Sequence, residues 1–309
     1  MLVSCYDGYY GGGELMKLDI SLDQFEQELT KQGYITEKED RIALTAYLAA
    51  QLEKPILVAG PPGVGKTEIA KVLSQVFAAP LIRLQCYEGL DENKALYEWN
   101  YQRQLIRIQM REEGLKEEDL FGLDYLLPRP LLQGLMSDEY TILLIDEIDK
   151  TDAEFEAFLL EVLGEFQVTI PEMGTVKAKK RPFVILTTNG ERELSDALKR
   201  RCIFLHVNPP TVEKEVRILR TKYPELPDKL AFQVAKAVGI LRERLALQKL
   251  PSIAETMDWA KALLVMGKTE LDPAWVDATL NLLLKSKEDL ELFYREMGAE
   301  RLIWETKGM

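Results

Sequence analysis

Gly60-Pro61-Pro62-Gly63-Val64-Gly65-Lys66-Thr67 is the stretch whose residue types and spacing most directly specify chemistry. It fits G-x-x-x-x-G-K-[ST], follows the apolar run Ile56-Leu57-Val58-Ala59 and opens a helical pattern, which is the context this motif requires. Glycines at 60, 63 and 65 let the backbone curl until its N–H groups face a chain of phosphates. Lys66 then reaches the β- and γ-phosphates, and the Thr67 hydroxyl ligates Mg²⁺. The stretch predicts that the chain binds a nucleoside triphosphate with Mg²⁺.

Two further strand ends supply what hydrolysis needs. Ile142-Leu-Leu-Ile145 runs into Asp146 and Glu147. At the carboxyl end of a parallel strand, Asp146 can hold the Mg²⁺ shell while Glu147 polarises a water for in-line attack on the γ-phosphate. By itself such a strand end is an ordinary acidic turn; downstream of a phosphate loop it points to hydrolysis. Phe183–Leu186 leads into Thr187-Thr188-Asn189, where a neutral amide can orient the attacking water or sense the γ-phosphate. Asn189-Gly190 is also a common turn pair. In Leu198-Lys199-Arg200-Arg201-Cys202, arginines close a helix, as plain dipole partners often do. Two adjacent arginines just before the last core strand also stand where one can face a neighbouring subunit. Such an arginine, supplied in trans, accelerates phosphoryl transfer by a factor on the order of 10³–10⁵. Arg201 is favoured over Arg200, and both remain candidates.

Five short apolar runs read as buried parallel strands: 56–59, 81–84, 142–145, 183–186 and 203–207. Helical patterns alternate with them. Thr36-Glu-Lys-Glu39 and Thr151-Asp-Ala-Glu154 read as capping boxes; the second opens a helix with Phe155, Phe158, Leu159, Val162, Leu163 and Phe166 on its apolar face. The fold class is therefore α/β, a doubly wound five-stranded parallel sheet with a C-terminal all-helical domain. Asn208-Pro-Pro210 marks the break. The expected division is a flexible extension over 1–20, a nucleotide-binding domain over 21–209 and a helical lid domain over 210–309. The segment Tyr6–Gly13 is aromatic and glycine-rich without period. Translation through a purine-rich ribosome-binding site would read this way, which makes Met16 a candidate natural start.

With 51 acidic against 39 basic residues, net −12, the 309-residue chain is a poor overall match to a phosphodiester backbone, so no nucleic-acid partner is expected. Three scattered cysteines and a single histidine, His206, cannot assemble a zinc site from the usual spacings. Reduced thiols and the lack of any membrane-length apolar run fit a cytoplasmic protein.

GPPGVGKT, ILLIDEID, TTN and ALKRRC in this order resemble an AAA+ ATPase, and the resemblance covers nearly the whole chain from about Leu22 onward. The MoxR branch is the more similar one: Gln167–Ile170 through Lys180 resembles its β-hairpin inserted before the sensor strand. Leu84–Gly89 with Ala95–Trp99 resembles the insert-bearing second helix of the CoxD-like subgroup, accessory ATPases of carbon monoxide dehydrogenase maturation. The resemblance implies an ATPase in a homo-oligomeric, usually hexameric ring, with nucleotide between subunits. It also implies a partner carrying a von Willebrand factor A domain and a client metalloenzyme. Lys66 and Thr67 then carry over as Walker A, Asp146 and Glu147 as Walker B, Asn189 as sensor 1 and Arg201 as arginine finger. Backbone near Gly33, Tyr34 and Ile35 lies beside the adenine by the same likeness.

One departure stands out. Where many AAA+ proteins place the sensor 2 arginine, this chain has Pro251–Trp259 without one, and neither Arg242 nor Arg244 matches the position. Arg103, Arg107 and Arg111 read as a solvated helix face, the four tryptophans as core, and His206 as packed. The rival function is a nucleic-acid-associated AAA+ motor or clamp-loader-like factor, which shares the Arg-Arg-Cys pattern. A P-loop small-molecule kinase explains neither the paired arginines nor the hairpin insert.

Overall fold

In the computed structural model, residues 3–7, 14–37, 40–110 and 120–307 are described, the first and 14–18 by their backbone alone. Val3–Asp7 (β1) and Glu14–Leu18 (β2) pair antiparallel, a ribbon of which the aperiodic N-terminal composition carried no sign. Leu22–Lys31 (α1) opens on a capping box between Ser21 and Gln24. Ile42–Leu52 (α2), Ile56–Ala59 (β3), Lys66–Val76 (α3) and Leu81–Gln85 (β4) follow. An inserted stretch then comprises Glu92–Leu96 (α4), Tyr97–Trp99 (β5), Tyr101–Gln109 (α5) and Leu126–Pro128 (β6), with β5 antiparallel to β6. Pro130–Met136 (α6), Ile142–Asp146 (β7) and Ala153–Glu165 (α7) lead to an antiparallel ribbon of Gln167–Ile170 (β8) and Gly174–Lys177 (β9). Phe183–Thr188 (β10), Asp196–Arg201 (α8) and Ile203–His206 (β11) complete this part.

The core sheet has the order β11-β3-β10-β7-β4, and all four pairings are parallel. Every residue of β7 and β10 is buried, which is why these strands read as unbroken apolar runs rather than as alternation. Leu57, Leu143, Ile145, Val184 and Leu186 share one face with Leu131, Leu159 and Leu198. On the other face the Phe183 ring meets Phe77 edge-on at 5.7 Å, and Phe77 stacks on Phe25 of α1 at 6.0 Å. The five strands fall on the five predicted runs. The phosphate loop leaves the C-terminal end of β3 between β11 and β10, so the loops after β3, β7 and β10 share one edge of the sheet.

Helix starts differ from the predicted capping boxes. α2 begins at Ile42 behind Arg41, which is left-handed at φ 54° and makes no side-chain cap. The Glu37 N–H bonds the Asp40 carboxylate at 3.3 Å, and Glu39, the predicted partner of Thr36, lies outside the described residues. α7 is capped by Asp152, whose carboxylate accepts from the Phe155 N–H at 2.9 Å. The Thr151 hydroxyl instead donates to the Ile148 carbonyl at 2.8 Å, closing the preceding turn.

By its contacts the chain divides after His206. Thr36–Gly60 and Lys66–His206 belong to the sheet unit, while Gly33–Ile35 and Pro61–Gly65 group with Val207–Met309. Within that second unit the described residues after the break hold Val212–Lys222 (α9), Asp228–Arg244 (α10), Ile253–Val265 (α11), Pro273–Thr279 (α12), Lys287–Glu296 (α13) and Gly298–Lys307 (α14). Leu219, Leu230, Val234, Leu241, Phe293 and Trp259 build its core. A Cβ on Gly63, whose φ is +77°, would stand 2.3 Å from the Ser252 Cβ, so both backbone and space require glycine there. Ser252 also caps α11 in a capping box with Glu255.

The tryptophans divide. Trp259 is fully buried and its indole N–H donates to Thr279 Oγ1 at 2.7 Å, whereas Trp304, expected in the core, is 73 % exposed. We expect Trp259→Ala to cost about 3–5 kcal/mol of stability and Trp304→Ala within about 0.5 kcal/mol, both read from denaturant midpoints of the helical unit. Equal midpoints for the two variants would contradict this core.

Candidate functional site

Parallel register delivers the chemistry. Because Ile145 pairs with Leu186, Asp146 at the end of β7 lies beside Thr187 of β10. The Thr187 hydroxyl donates to Asp146 Oδ1 at 2.5 Å and accepts from the Glu147 N–H at 2.9 Å. Thr67 Oγ1, in the first turn of α3, stands 3.3 Å from both Asp146 oxygens. Glu147 is left-handed at φ 59°, ψ 51°, a conformation uncommon outside glycine and frequent at functional sites. That turn carries its carboxylate out of the strand, half-buried, within 3.5 Å of the Asn189 amide Nδ2.

Lys66 is buried and its ammonium donates to the Gly60 carbonyl and to Asn189 Oδ1, each at 2.7 Å. Burial lowers its pKa, a shift opposed by the nearby charges of Asp149, Asp146 and Glu147. Gly63 and Gly65 are both left-handed, at φ 77° and 94°, as the predicted curl of the loop requires; Gly60 is not. Lys66, Thr67, Asp146, Glu147 and Asn189 thus form one connected hydrogen-bond network.

Other members of that network carry no motif. Asp149, buried, accepts from the backbone N–H groups of Asn189 and Glu191 at 3.0 Å each, which fixes the turn presenting the Asn189 side chain. On β4, Arg83 donates to Asp146 Oδ2 at 2.5 Å and also to Gln85 Oε1. The Gln85 amide in turn donates to Glu147 Oε2 at 3.0 Å. Asp149 was legible as the last residue of ILLIDEID; Arg83 and Gln85 had no sequence signal. Cys86 follows directly, but burial and the adjacent Asp146 push its thiol up to about 12, which removes it as a nucleophile. Burial does the same to Cys202.

The remaining predicted residues lie elsewhere. Arg200 and Arg201 stand exposed in the last turn of α8, and among the described residues neither bonds to the Lys66 network. The Arg201 guanidinium donates to the Leu160 carbonyl of α7 and lies against Gly164, where a Cβ would come within 3.7 Å of it. Gly33, Tyr34 and Ile35 group with the helical unit. Arg242 makes a bidentate pair with Glu215 at 2.9 and 3.0 Å and donates to the Pro251 carbonyl at 2.7 Å, so its fork is fully engaged within that unit. Arg103 is exposed as predicted and reaches the Asp124 carbonyl at 2.8 Å, while Arg111 lies outside the described residues. His206, expected to pack, is exposed on edge strand β11 beside Phe204.

A hydroxyl and a carboxylate are the hard oxygen donors that Mg²⁺ accepts, and this ion commonly takes only one or two protein oxygens beside phosphate and water. Thr67 and Asp146 fit that requirement. Among the described residues no cluster of His, Cys, Asp and Glu forms a metal cage of its own, and no helix is long and apolar enough to cross a membrane.

Residues 55–202 match the AAA domain of the dynein-related subfamily. The chain is 26 % identical over 299 residues to the chaperone protein ClpB of Chlamydia caviae, covering 89 % of this chain and 32 % of ClpB. It is 34 % identical over 164 residues to an uncharacterized protein of Staphylococcus epidermidis, covering 51 % of this chain and 57 % of that one. The chain therefore spans about a third of the length of the ClpB relatives it matches. Among solved structures, the Thermotoga maritima RuvB Holliday junction branch migration motor matches 89 % of this chain and 76 % of its own, at 19 % identity and a TM-score of 0.47. The phosphate loop, the Asp146-Glu147 strand end, Asn189 and both arginines all fall inside the matched span, and over residues 55–202 the chain is similar to an AAA domain of the dynein-related subfamily.

Proposed function

We propose that this chain hydrolyses ATP to ADP and phosphate and uses the cycle to remodel a protein complex. The observation that carries the reading is the single network joining Lys66, Thr67, Asp146, Glu147 and Asn189 at three loop ends of one sheet edge. Lys66 exchanges its Gly60 and Asn189 partners for the β- and γ-phosphates. Thr67 and Asp146 hold Mg²⁺, which when bound neutralises charge on those phosphates. Glu147 accepts the proton of a water whose oxygen bonds to the γ-phosphorus as the bond to the β–γ bridging oxygen breaks, and Asn189 orients that water. Arg201, with Arg200 as the alternative, reaches a neighbouring subunit's phosphates. Tyr34 and Ile35 flank the adenine.

The finer reading is a MoxR-type ATPase of the CoxD-like subgroup. It works in the cytoplasm as a hexameric ring, with residues 210–309 as lid, a von Willebrand factor A domain partner and a molybdenum hydroxylase as client. The β8–β9 ribbon directly ahead of β10 and the insert between β4 and α6 support it. Similarity to a chaperone supports remodelling as the output. Net charge −12 weighs against the nucleic-acid motor or clamp-loader alternative.

Three outcomes test this reading. Lys66→Ala should weaken ATP binding by roughly ten- to a hundredfold, the worth of one lost charge-assisted contact; calorimetric titration giving wild-type affinity would remove the loop from phosphate binding. Glu147→Gln should bind ATP normally yet release phosphate roughly 10²–10⁴ times more slowly, and unchanged turnover would clear Glu147 of any role as base. Mixed into wild-type assemblies, Arg201→Ala subunits should depress phosphate release beyond simple dilution, while Arg200→Ala subunits only dilute it. The reverse order would exchange their roles.

A further inference from the structure

Asp146 already holds three donors at the carboxylate that a metal would share. Its carboxylate offers four lone-pair positions. Thr187 donates to Oδ1, Arg83 donates to Oδ2, and the Thr67 hydroxyl stands 3.3 Å from both. A cation that ligates Asp146 would meet these three groups, and it competes most directly with the one that carries its own sign of charge. Thr187 is fully buried and also receives the Glu147 N–H, so it is fixed from two sides. Thr67 belongs to the same ligand set.

Arg83 is the donor that can leave. Its side chain is about half exposed, against 4 % for Asp146, so the guanidinium can rehydrate when it swings away. It is itself a cation, and an incoming divalent ion repels it from the shared carboxylate. The guanidinium is also tied to the second carboxylate, because the same Nη2 donates to Gln85 Oε1 and the Gln85 amide donates to Glu147 Oε2. Arg83 and Gln85 alternate on one face of β4, which pairs directly with β7.

We infer that Arg83 is a positioning residue, an exchangeable counter-ion that holds the Asp146 carboxylate between turnovers and so sets how much magnesium nucleotide binding requires. The inference rests on the proposed role of Thr67 and Asp146 as Mg²⁺ ligands. A residue that only braced the fold would change stability but not magnesium dependence. A counter-ion in competition with the metal lowers the metal's apparent affinity, and its removal raises it.

The test uses the full chain, a fluorescent non-hydrolysable ATP analogue and magnesium chloride titrated at fixed analogue concentration. In Arg83→Gln the magnesium midpoint should fall roughly two- to fivefold, the worth of a half-exposed ion pair, with affinity in EDTA unchanged. Arg83→Met, which keeps the aliphatic stem, should do the same, and Arg83→Lys should restore the wild-type midpoint. Analogue binding whose magnesium midpoint is unmoved or raised in both neutral variants would overturn this inference alone. A wild-type chain that binds no analogue at any magnesium concentration would overturn the nucleotide reading and this inference with it.

Discussion

A buried charge is tolerable only when it is paired or hydrogen-bonded, and that demand organises the edge of the sheet where the loops gather. Asp146 is 3 % exposed, Asp149 4 % and Lys66 7 %. Asp146 is answered by hydroxyls of Thr67 and Thr187 and by Arg83; Asp149 by two backbone N–H groups on its Oδ2; Lys66 by a carbonyl and an amide oxygen. These partners come from three separate stretches of the chain, the loop after β3, β4 and the end of β10, and the strand register brings them together. Sliding β10 by one residue against β7 would turn Thr187 to the opposite face and leave Asp146 short of its strongest neutral donor. The apolar packing of both sheet faces therefore does more than stabilise: it fixes the register on which the polar cluster depends.

The helical unit solves the same problem with a different pair. Glu215 is fully buried, and burial raises its pKa even though the Arg242 charge pulls the other way. Arg242 links α9, α10 and the entry to α11 by bonding Glu215, the Pro251 carbonyl and Thr256 Oγ1. Its removal would strand a buried carboxylate, so its guanidinium is committed to the unit's own architecture. The absence of an arginine at the expected start of α11 and the engagement of the nearest candidate agree: this unit keeps its buried arginine for structure.

What the sequence revealed followed from how local each signal is. β7 and β10 were the most legible strands because both their faces are covered and their runs are uninterrupted. The Gly60–Thr67 and Asp146-Glu147 motifs were legible because each is a short, contiguous stretch whose spacing does not depend on the rest of the fold. Helix starts were less so, since Thr151 and Asp152 are both good caps and only the Ile148–Thr151 turn decides between them. His206 looked packed because it alternates with strand residues, but β11 is an edge strand and the face bearing Phe204 and His206 is uncovered. Arg83 lay inside a run read as a buried strand and Gln85 just past its end, so neither stood out as a site residue. Their meaning appears only through the pairing of Gln85 with Asp146, some sixty residues away.

Glu147 and Asn189, the base and the sensor of the proposed function, are both tied to the end of β10, Glu147 by its N–H bond to Thr187 and Asn189 by following Thr188 in the chain. The Glu147 backbone is held in its left-handed turn by Thr187, and Asn189 follows two residues later on a turn fixed by Asp149, itself only two residues beyond Glu147. A left-handed non-glycine costs of order 1 kcal/mol and persists only when its surroundings over-determine it. The Thr187 hydroxyl supplies that constraint while also filling Asp146 Oδ1. One buried hydroxyl thus fixes the Asp146 carboxylate, the direction of Glu147 and, through a shared strand, the height of the Asn189 amide. Any shift of β10 must move all three together, so that under the proposed function a change at the γ-phosphate would be felt along the sheet rather than at a single side chain.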